Sequence, residues 1–232
     1  MKRILLAIAA LVLAAQAPAA TWEAGKHYEV LDQPQRTNVA PGKVEVLEVF
    51  SYGCPHCDRF QSTMAKLKAA LPANVQFSYI PASWNASEGW PLFQRAYLTA
   101  QSMGVAEKGH AEMFNAVWHT GELAVLDLKT NELKRTLPTI EDIAKLYGRV
   151  AGVKPAEFVS TSKSFGVDMK MRAADTQVLA MKVTATPTLV INGKYKVINE
   201  GLKTNDELVD LVKFLVAKEA PAAPAAAPAK KS

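Results

Sequence analysis

An α/β fold with a helical block set inside it is what this sequence predicts, on three observations. Residues 44–80 read as a strand, a helix and a second strand. Residues 84–165 then carry helical periodicity almost throughout. The chain afterwards returns through a helix, a tight hairpin and a last helix.

Val44 to Phe50 (VEVLEVF) is β-branched and apolar apart from two carboxylates, as expected of a central strand covered on both faces. Gly53 breaks it, and Pro55 fits the first turn of a helix, where a missing N–H costs nothing. Phe60, Met64, Leu67 and Leu71 form an apolar stripe along that helix, which Pro72 ends. Val75 to Ile80 supplies the second strand of a βαβ unit, a connection that is right-handed with few exceptions.

In the helical block, Phe93, Ala96, Tyr97, Ala100 and Met103 share one face, and His110, Met113, Phe114, Val117 and Trp118 share another. Thr139 with Asp142 has the spacing of a capping box opening a helix through Tyr147, and Pro155 suits the start of a short one. Residues 122–138 are irregular. A helix over Val167–Met181 leads back to strands at Thr188–Ile191 and Lys194–Val197, joined by Asn192-Gly193, a strong hairpin signal. Thr204-Asn205-Asp206-Glu207 opens the final helix, with Leu208, Leu211, Val212 and Leu215 inward.

The two ends read differently. Lys2 and Arg3, the apolar run Ile4–Ala15 and Ala17-Pro18-Ala19 make a secretory leader, cleaved after Ala19 or Ala20; the alternative is a retained anchor, but the run is short for one. Residues 220–232 (APAAPAAAPAKKS) have almost nothing to bury and read as a disordered tail. The net charge of +5 falls to +3 without Lys2 and Arg3, and the remaining charges alternate in sign along helices, so nothing argues for nucleic acid.

The chemistry is concentrated in Cys54-Pro55-His56-Cys57, which holds the only two cysteines of the 232 residues. At a helix start, backbone N–H groups and the macrodipole favour a Cys54 thiolate. Cys57, one turn on, is placed to resolve a mixed disulfide on Cys54. A cationic His56 would oppose the dipole, but beside a thiolate anion and cation stabilise each other. A lowered thiolate pKa stabilises the dithiol, which makes the disulfide an oxidant. A purely structural disulfide would be strained and would tie no distant segments together. Zinc would need ligands beyond Cys54 and Cys57, and His27, His56, His110 and His119 lack a metal-binding spacing.

These residues resemble the thioredoxin-fold disulfide oxidoreductases, in particular their periplasmic DsbA-type branch. The likeness runs from Gly25-Lys26-His27-Tyr28 through EVFSYGCPHC to TPTLVINGKY. It implies a thioredoxin fold with an inserted helical domain: leader 1–20, thioredoxin-like domain 21–83 and 166–219, insert 84–165 and tail 220–232. It also implies Pro187 as a cis-proline facing the cysteines, with the Thr186 backbone free to pair with a substrate strand; a trans proline at a strand start is the alternative. Glu48 matches the branch's buried acid, with a raised pKa and proton exchange with Cys57; a solvated edge glutamate is the alternative.

Two positions depart from the pattern. The best-known oxidase of the branch carries Val where this chain has Thr186, a residue also found in isomerase and reductase relatives. No lysine near Pro72-Ala73-Asn74 stands ready to pair with Glu48. The implied activity is oxidation of unfolded, newly exported cysteine-containing proteins, with the Cys54–Cys57 disulfide as the only redox group and no separate cofactor or metal. A membrane oxidase of the DsbB type would restore the disulfide, and the protein would act as a monomer in the periplasm. Two other functions compete. An isomerase or reductase would want a dimerisation domain, for which residues 20–44 leave no room. A peptide-binding chaperone would use the Met, Trp and Phe residues of the helical block, which at helical spacing serve a core.

Overall fold

Strand β2 (Val44–Phe50) is buried along its whole length, and the rest of the molecule is arranged around it. The computed structural model describes residues 21–219; the leader and tail expected at residues 1–20 and 220–232 lie outside them. β2 pairs in parallel with β3 (Val75–Pro81) and antiparallel with β4 (Thr188–Ile191). β4 continues into β5 (Tyr195–Val197), and β1 (Tyr28–Val30) closes the far edge, giving the order β1-β5-β4-β2-β3.

Helix α1 (Pro55–Ala70) connects β2 to β3 with Pro55 in its first turn. The insertion supplies α2 (Trp90–Ser102), α3 (Ala106–Trp118), α4 (Ile140–Ala151) and α5 (Pro155–Ser162). Then α6 (Phe165–Ala180) packs on both α2 and β3, and α7 (Asn205–Glu219) ends the described chain. The Thr139–Asp142 capping box is present, and α4 runs on to Ala151, where Gly152 takes the left-handed conformation. The hairpin turn has positive φ at Asn192 and Gly193, 50° and 64°, as a two-residue turn matched to strand twist requires.

Strand alternation divides the core in two. Val44 and Val46 join Met64 and Leu67 of α1 and Leu211, Val212 and Leu215 of α7 on one face. Leu47 and Val49 join Phe93, Ala96 and Tyr97 of α2 and Met113 and Phe114 of α3 on the other, and Phe50 at the end of the strand belongs to the same cluster. Aromatic edges bind the insertion to the end of β2. Phe50 meets Tyr97 at 5.2 Å and Tyr52 meets Phe114 at 5.0 Å between ring centroids. Trp118 Nε1 donates to the Tyr52 carbonyl at 2.8 Å, so the last turn of α3 anchors the segment that leads into the cysteines.

Strand β1 has no counterpart in the sequence reading. Three residues are too few to show a period, and Tyr28–Val30 becomes a strand by pairing with Val197–Tyr195, far along the chain. Residues 122–138 are irregular as expected, with one isolated bridge between Leu126 and Leu133.

Gly53 is required by close packing. A Cβ there would lie 2.8 Å from the Trp90 indole, a side chain that is 6% exposed and part of the core. Gly53→Ala should therefore lower unfolding stability by about 1–3 kcal/mol, read as a shifted urea midpoint. An unchanged midpoint would mean that Trp90 yields freely.

Candidate active site

The site is built where β2 runs out into α1. Cys54 is the N-cap of α1 in extended conformation, and its carbonyl accepts from Cys57 N at 3.1 Å and Asp58 N at 3.2 Å. The helix thus begins with Cys54 at its lip and Cys57 one turn inside. Cys54 keeps 4% of its surface exposed and Cys57 none, which makes Cys54 the sulfur a partner reaches. Both are free thiols here.

Their acidities are driven apart. The Cys57 thiol donates to the Cys54 sulfur, and a hydrogen bond with Thr186 and the backbone N–H groups of Cys57 and His56 add to it. Together they outweigh burial and bring Cys54 down from 9.0 to about 6. Cys57 moves far the other way, first through burial, then through its bond to Cys54 and the nearby charges of Cys54 and Glu48. One thiolate at Cys54, backed by one protonated thiol at Cys57, is the stable form of the dithiol at neutral pH.

His56 has its own neighbour. The side chain of His56 points away from a direct hydrogen bond with the thiolate and meets Arg59 instead. The ring is exposed, and its Nδ1 lies 3.1 Å from Nη2 of Arg59. A guanidinium can only donate, so Nδ1 is the acceptor in this contact. His56 helps Cys54 through its backbone N–H, and the fixed positive charge of this turn belongs to Arg59.

Opposite the cysteines, the Thr186–Pro187 peptide bond is cis. Cys54 Sγ lies 3.4 Å from the Thr186 carbonyl oxygen, and Asn199 Nδ2 donates to the Pro187 carbonyl at 3.0 Å, holding that turn. A cleft of about 570 Å³ opens beside them, lined by His56, Arg59, Phe60, Pro187, Leu202 and Leu208 among others.

Glu48 lies beneath, on the sheet face that α1 and α7 cover. It is fully buried and neither carboxyl oxygen has a hydrogen-bond partner, unlike Glu45, which accepts from Ser78 Oγ at 2.7 Å and Asn38 N at 3.1 Å. Burial raises Glu48 from 4.5 to about 8; Lys68 opposes the rise and the Cys54 charge adds to it. No lysine near Pro72 pairs with Glu48; Lys68 of α1 acts on it only through its charge, with no hydrogen bond between them.

The structure brings Glu48, Cys54, Pro55, His56, Cys57, Thr186 and Pro187 to one end of the sheet. Sequence reasoning missed Arg59, Lys68 and Asn199. Arg59 was visible as the i+3 neighbour of His56, and Lys68 as the residue eleven after Cys57 on the same helix face. No local signal marked Asn199. Among the described residues no three His, Cys, Asp or Glu groups gather to hold a metal. His27 accepts from Glu23 N, His110 meets Tyr52, and His119 pairs with Asp58 at 3.1 Å.

Comparison with known proteins places this geometry. The family model described as Thioredoxin matches residues 40–213. The thiol:disulfide interchange protein DsbA of Pseudomonas aeruginosa is 36% identical over 221 residues, 94% of this chain and 95% of that protein. The chain belongs to the DsbA-type thiol:disulfide interchange proteins. DsbA of Dickeya dadantii is 30% identical over 94% of this chain and 100% of its own length. Among solved structures, the oxidoreductase DsbA from Xylella fastidiosa superposes with a TM-score of 0.72 at 29% identity, covering 85% of this chain and 97% of that one. The crystal structure of Pseudomonas aeruginosa DsbA gives 0.69 at 34% identity, covering 85% and 94%. The sheet with its helical insertion is thus the thioredoxin fold with an inserted helical domain, and the protein is a disulfide oxidoreductase of the DsbA type.

Two measurements follow for a DsbA-type site of this form. Cys54 has a depressed folded pKa, so its stabilisation of the dithiol protein is complete above the ordinary value near 9.0 and is lost as pH falls through about 6. Thiolate absorbance of the reduced protein should titrate near pH 6. The reduction potential should fall by about 59 mV per pH unit below that midpoint and about 30 mV above it, as one proton fewer is taken up. For Glu48 the sign is opposite, since ionisation is disfavoured only in the fold. The cost sets in as pH rises through 4.5 and levels off above about 8. Glu48→Gln should therefore stabilise the protein by about 3 kcal/mol at pH 7, with little gain at pH 4, as read by denaturant unfolding at the two pH values.

Proposed function

We propose that this protein is a dithiol oxidase of exported proteins. It passes the Cys54–Cys57 disulfide to unfolded, cysteine-containing polypeptides in the periplasm, where the leader read at residues 1–20 would deliver it. A membrane oxidase of the DsbB type would then reoxidise it, and the protein would act as a monomer whose redox group is the cysteine pair itself.

The observation that carries this reading is the opposed acidity of two sulfurs one turn apart, about 6 for Cys54 and far above the normal range for Cys57. A substrate thiolate attacks Cys54 Sγ of the disulfide, forming a mixed disulfide, and the electron pair of the broken S–S bond passes to Cys57. Cys57 takes up a proton, which Glu48, protonated at neutral pH, is near enough to exchange. A second substrate thiolate then attacks its own sulfur in the mixed disulfide, and Cys54 leaves as a thiolate. The substrate is oxidised by two electrons and the protein becomes a dithiol.

Low basicity makes Cys54 a good leaving group. At pH 7 its depressed pKa favours the reduced protein by about 1.4 kcal/mol, roughly 30 mV. The cleft beside Cys54 suits an extended polypeptide lying across Pro187, with the Thr186 carbonyl as a strand-pairing acceptor.

The test is to mix oxidised protein with a reduced, unfolded substrate and follow disulfide formation, which should be rapid. A reduction potential near the thioredoxin value of about −270 mV would overturn the reading. Cys57→Ala should accumulate a mixed disulfide through Cys54 on non-reducing gels, and Cys54→Ala should form none. A mixed disulfide in Cys54→Ala would reverse the assigned roles.

A further inference from the structure

The cleft beside Cys54 joins an apolar floor to a cationic rim. Phe60, Pro187, Leu202 and Leu208 supply the floor, and Arg59 of α1 and Lys203, just before α7, supply two fixed positive charges on exposed side chains. No aspartate or glutamate is among its lining residues.

Both cations are left without a counter-charge. Neither enters an ion pair among the described residues. A guanidinium has five N–H donors, and Arg59 meets only an uncharged acceptor nitrogen, Nδ1 of His56, through Nη2. Lys203 is held by its backbone, whose N–H donates to Glu207 Oε2 at 2.6 Å.

The acids of the surrounding turns are engaged elsewhere. Asp58 pairs with His119 at 3.1 Å, and Asp206 lies 3.6 Å from Lys66. Glu207 also accepts at the start of α7, and Glu200 lines a different cavity. The positive charge of the cleft is therefore available to whatever enters it.

The distance to the reacting sulfur sets where a matching charge would sit. Arg59 is five residues beyond Cys54, which is about 7.5 Å along a helix axis. An extended chain covers that span in about two residues at about 3.3 Å each.

We propose that Arg59 and Lys203 select substrate polypeptides carrying a carboxylate about two or three residues from the reacting cysteine. This rests on the oxidase reading and names the substrate class of the same site. An exposed ion pair adds little affinity, so the two charges act chiefly on encounter, drawing acidic segments toward Cys54 and turning basic ones away.

The test uses unfolded dithiol peptides that differ only in having Glu, Gln or Lys two residues to either side of each cysteine. Each is mixed with the oxidised full chain, and its rate of disulfide formation is divided by its rate with hydroxyethyl disulfide. That division removes the effect of the flanking charge on the peptide's own thiol. The normalised rates should fall in the order Glu, Gln, Lys, with about three- to tenfold between Glu and Gln at low ionic strength. The gap should close in high salt.

Lys203→Gln and Arg59→Gln should each lower the Glu-to-Gln ratio about twofold or more. The ratio is taken within one variant, so any change in Cys54 reactivity cancels, and both positions are exposed. Equal normalised rates for the three peptides, or a ratio unchanged in both variants, would overturn the proposal. Serine-for-cysteine versions of the peptides, followed by fluorescence anisotropy, report the same preference without exchange. If no peptide were oxidised, the oxidase reading would fall, and equal affinity of the Glu and Gln serine peptides would then overturn the acid preference separately.

Discussion

A sulfur anion held at the lip of a helix is the interaction on which the site depends. Cys54 ends an extended segment, and α1 starts beneath it with N–H groups that have no partner within the helix. Those groups and the Cys57 thiol supply what solvent would otherwise supply to a thiolate. The Cys57 thiol can donate only while it keeps its proton, and burial ensures that it does. The low acidity of the inner sulfur is thus one condition for the high acidity of the outer one, and neither can be changed alone.

The scaffold enforces this arrangement from three sides. Gly53 lets the Trp90 indole pack against the turn before the cysteines, and Trp118 hydrogen-bonds the Tyr52 carbonyl just ahead of it. The cis Thr186–Pro187 turn, pinned by Asn199, closes the opposite side. Asp58, next to Cys57, reaches the end of α3 through His119. The helical insertion therefore shapes the redox site as well as adding mass to the fold, because its aromatic core is continuous with Phe50 and Tyr52.

Glu48 marks where stability has been given up. A carboxyl group with two unpartnered oxygens in a fully buried strand is unfavourable in any fold, and Glu45 three residues earlier shows how the same strand satisfies such a group with Ser78 and Asn38. The difference is one of position: Glu48 lies on the face beneath the cysteines, where burial without partners leaves it with a pKa of about 8.

Local pattern sufficed for the parts of the fold whose causes are local. The strand at 44–50, the proline-led helix over the cysteines, the capping box at Thr139 and the Asn192-Gly193 turn each follow from a few adjacent residues. Motif and resemblance together named the seven residues that meet at the site. What they could not decide were the contacts between distant segments. Strand β1 exists only through its pairing with β5. Lys68, not a residue near Pro72, is the cation whose charge acts on Glu48, because α1 lies across β2. The contact between His56 and Arg59 is likewise set by where two exposed side chains meet in space. Sequence alone determined that two cysteines one turn apart would do redox chemistry at a helix start; only the packed structure decided which neighbours tune them, because burial and Coulomb terms depend on distances the chain order does not contain.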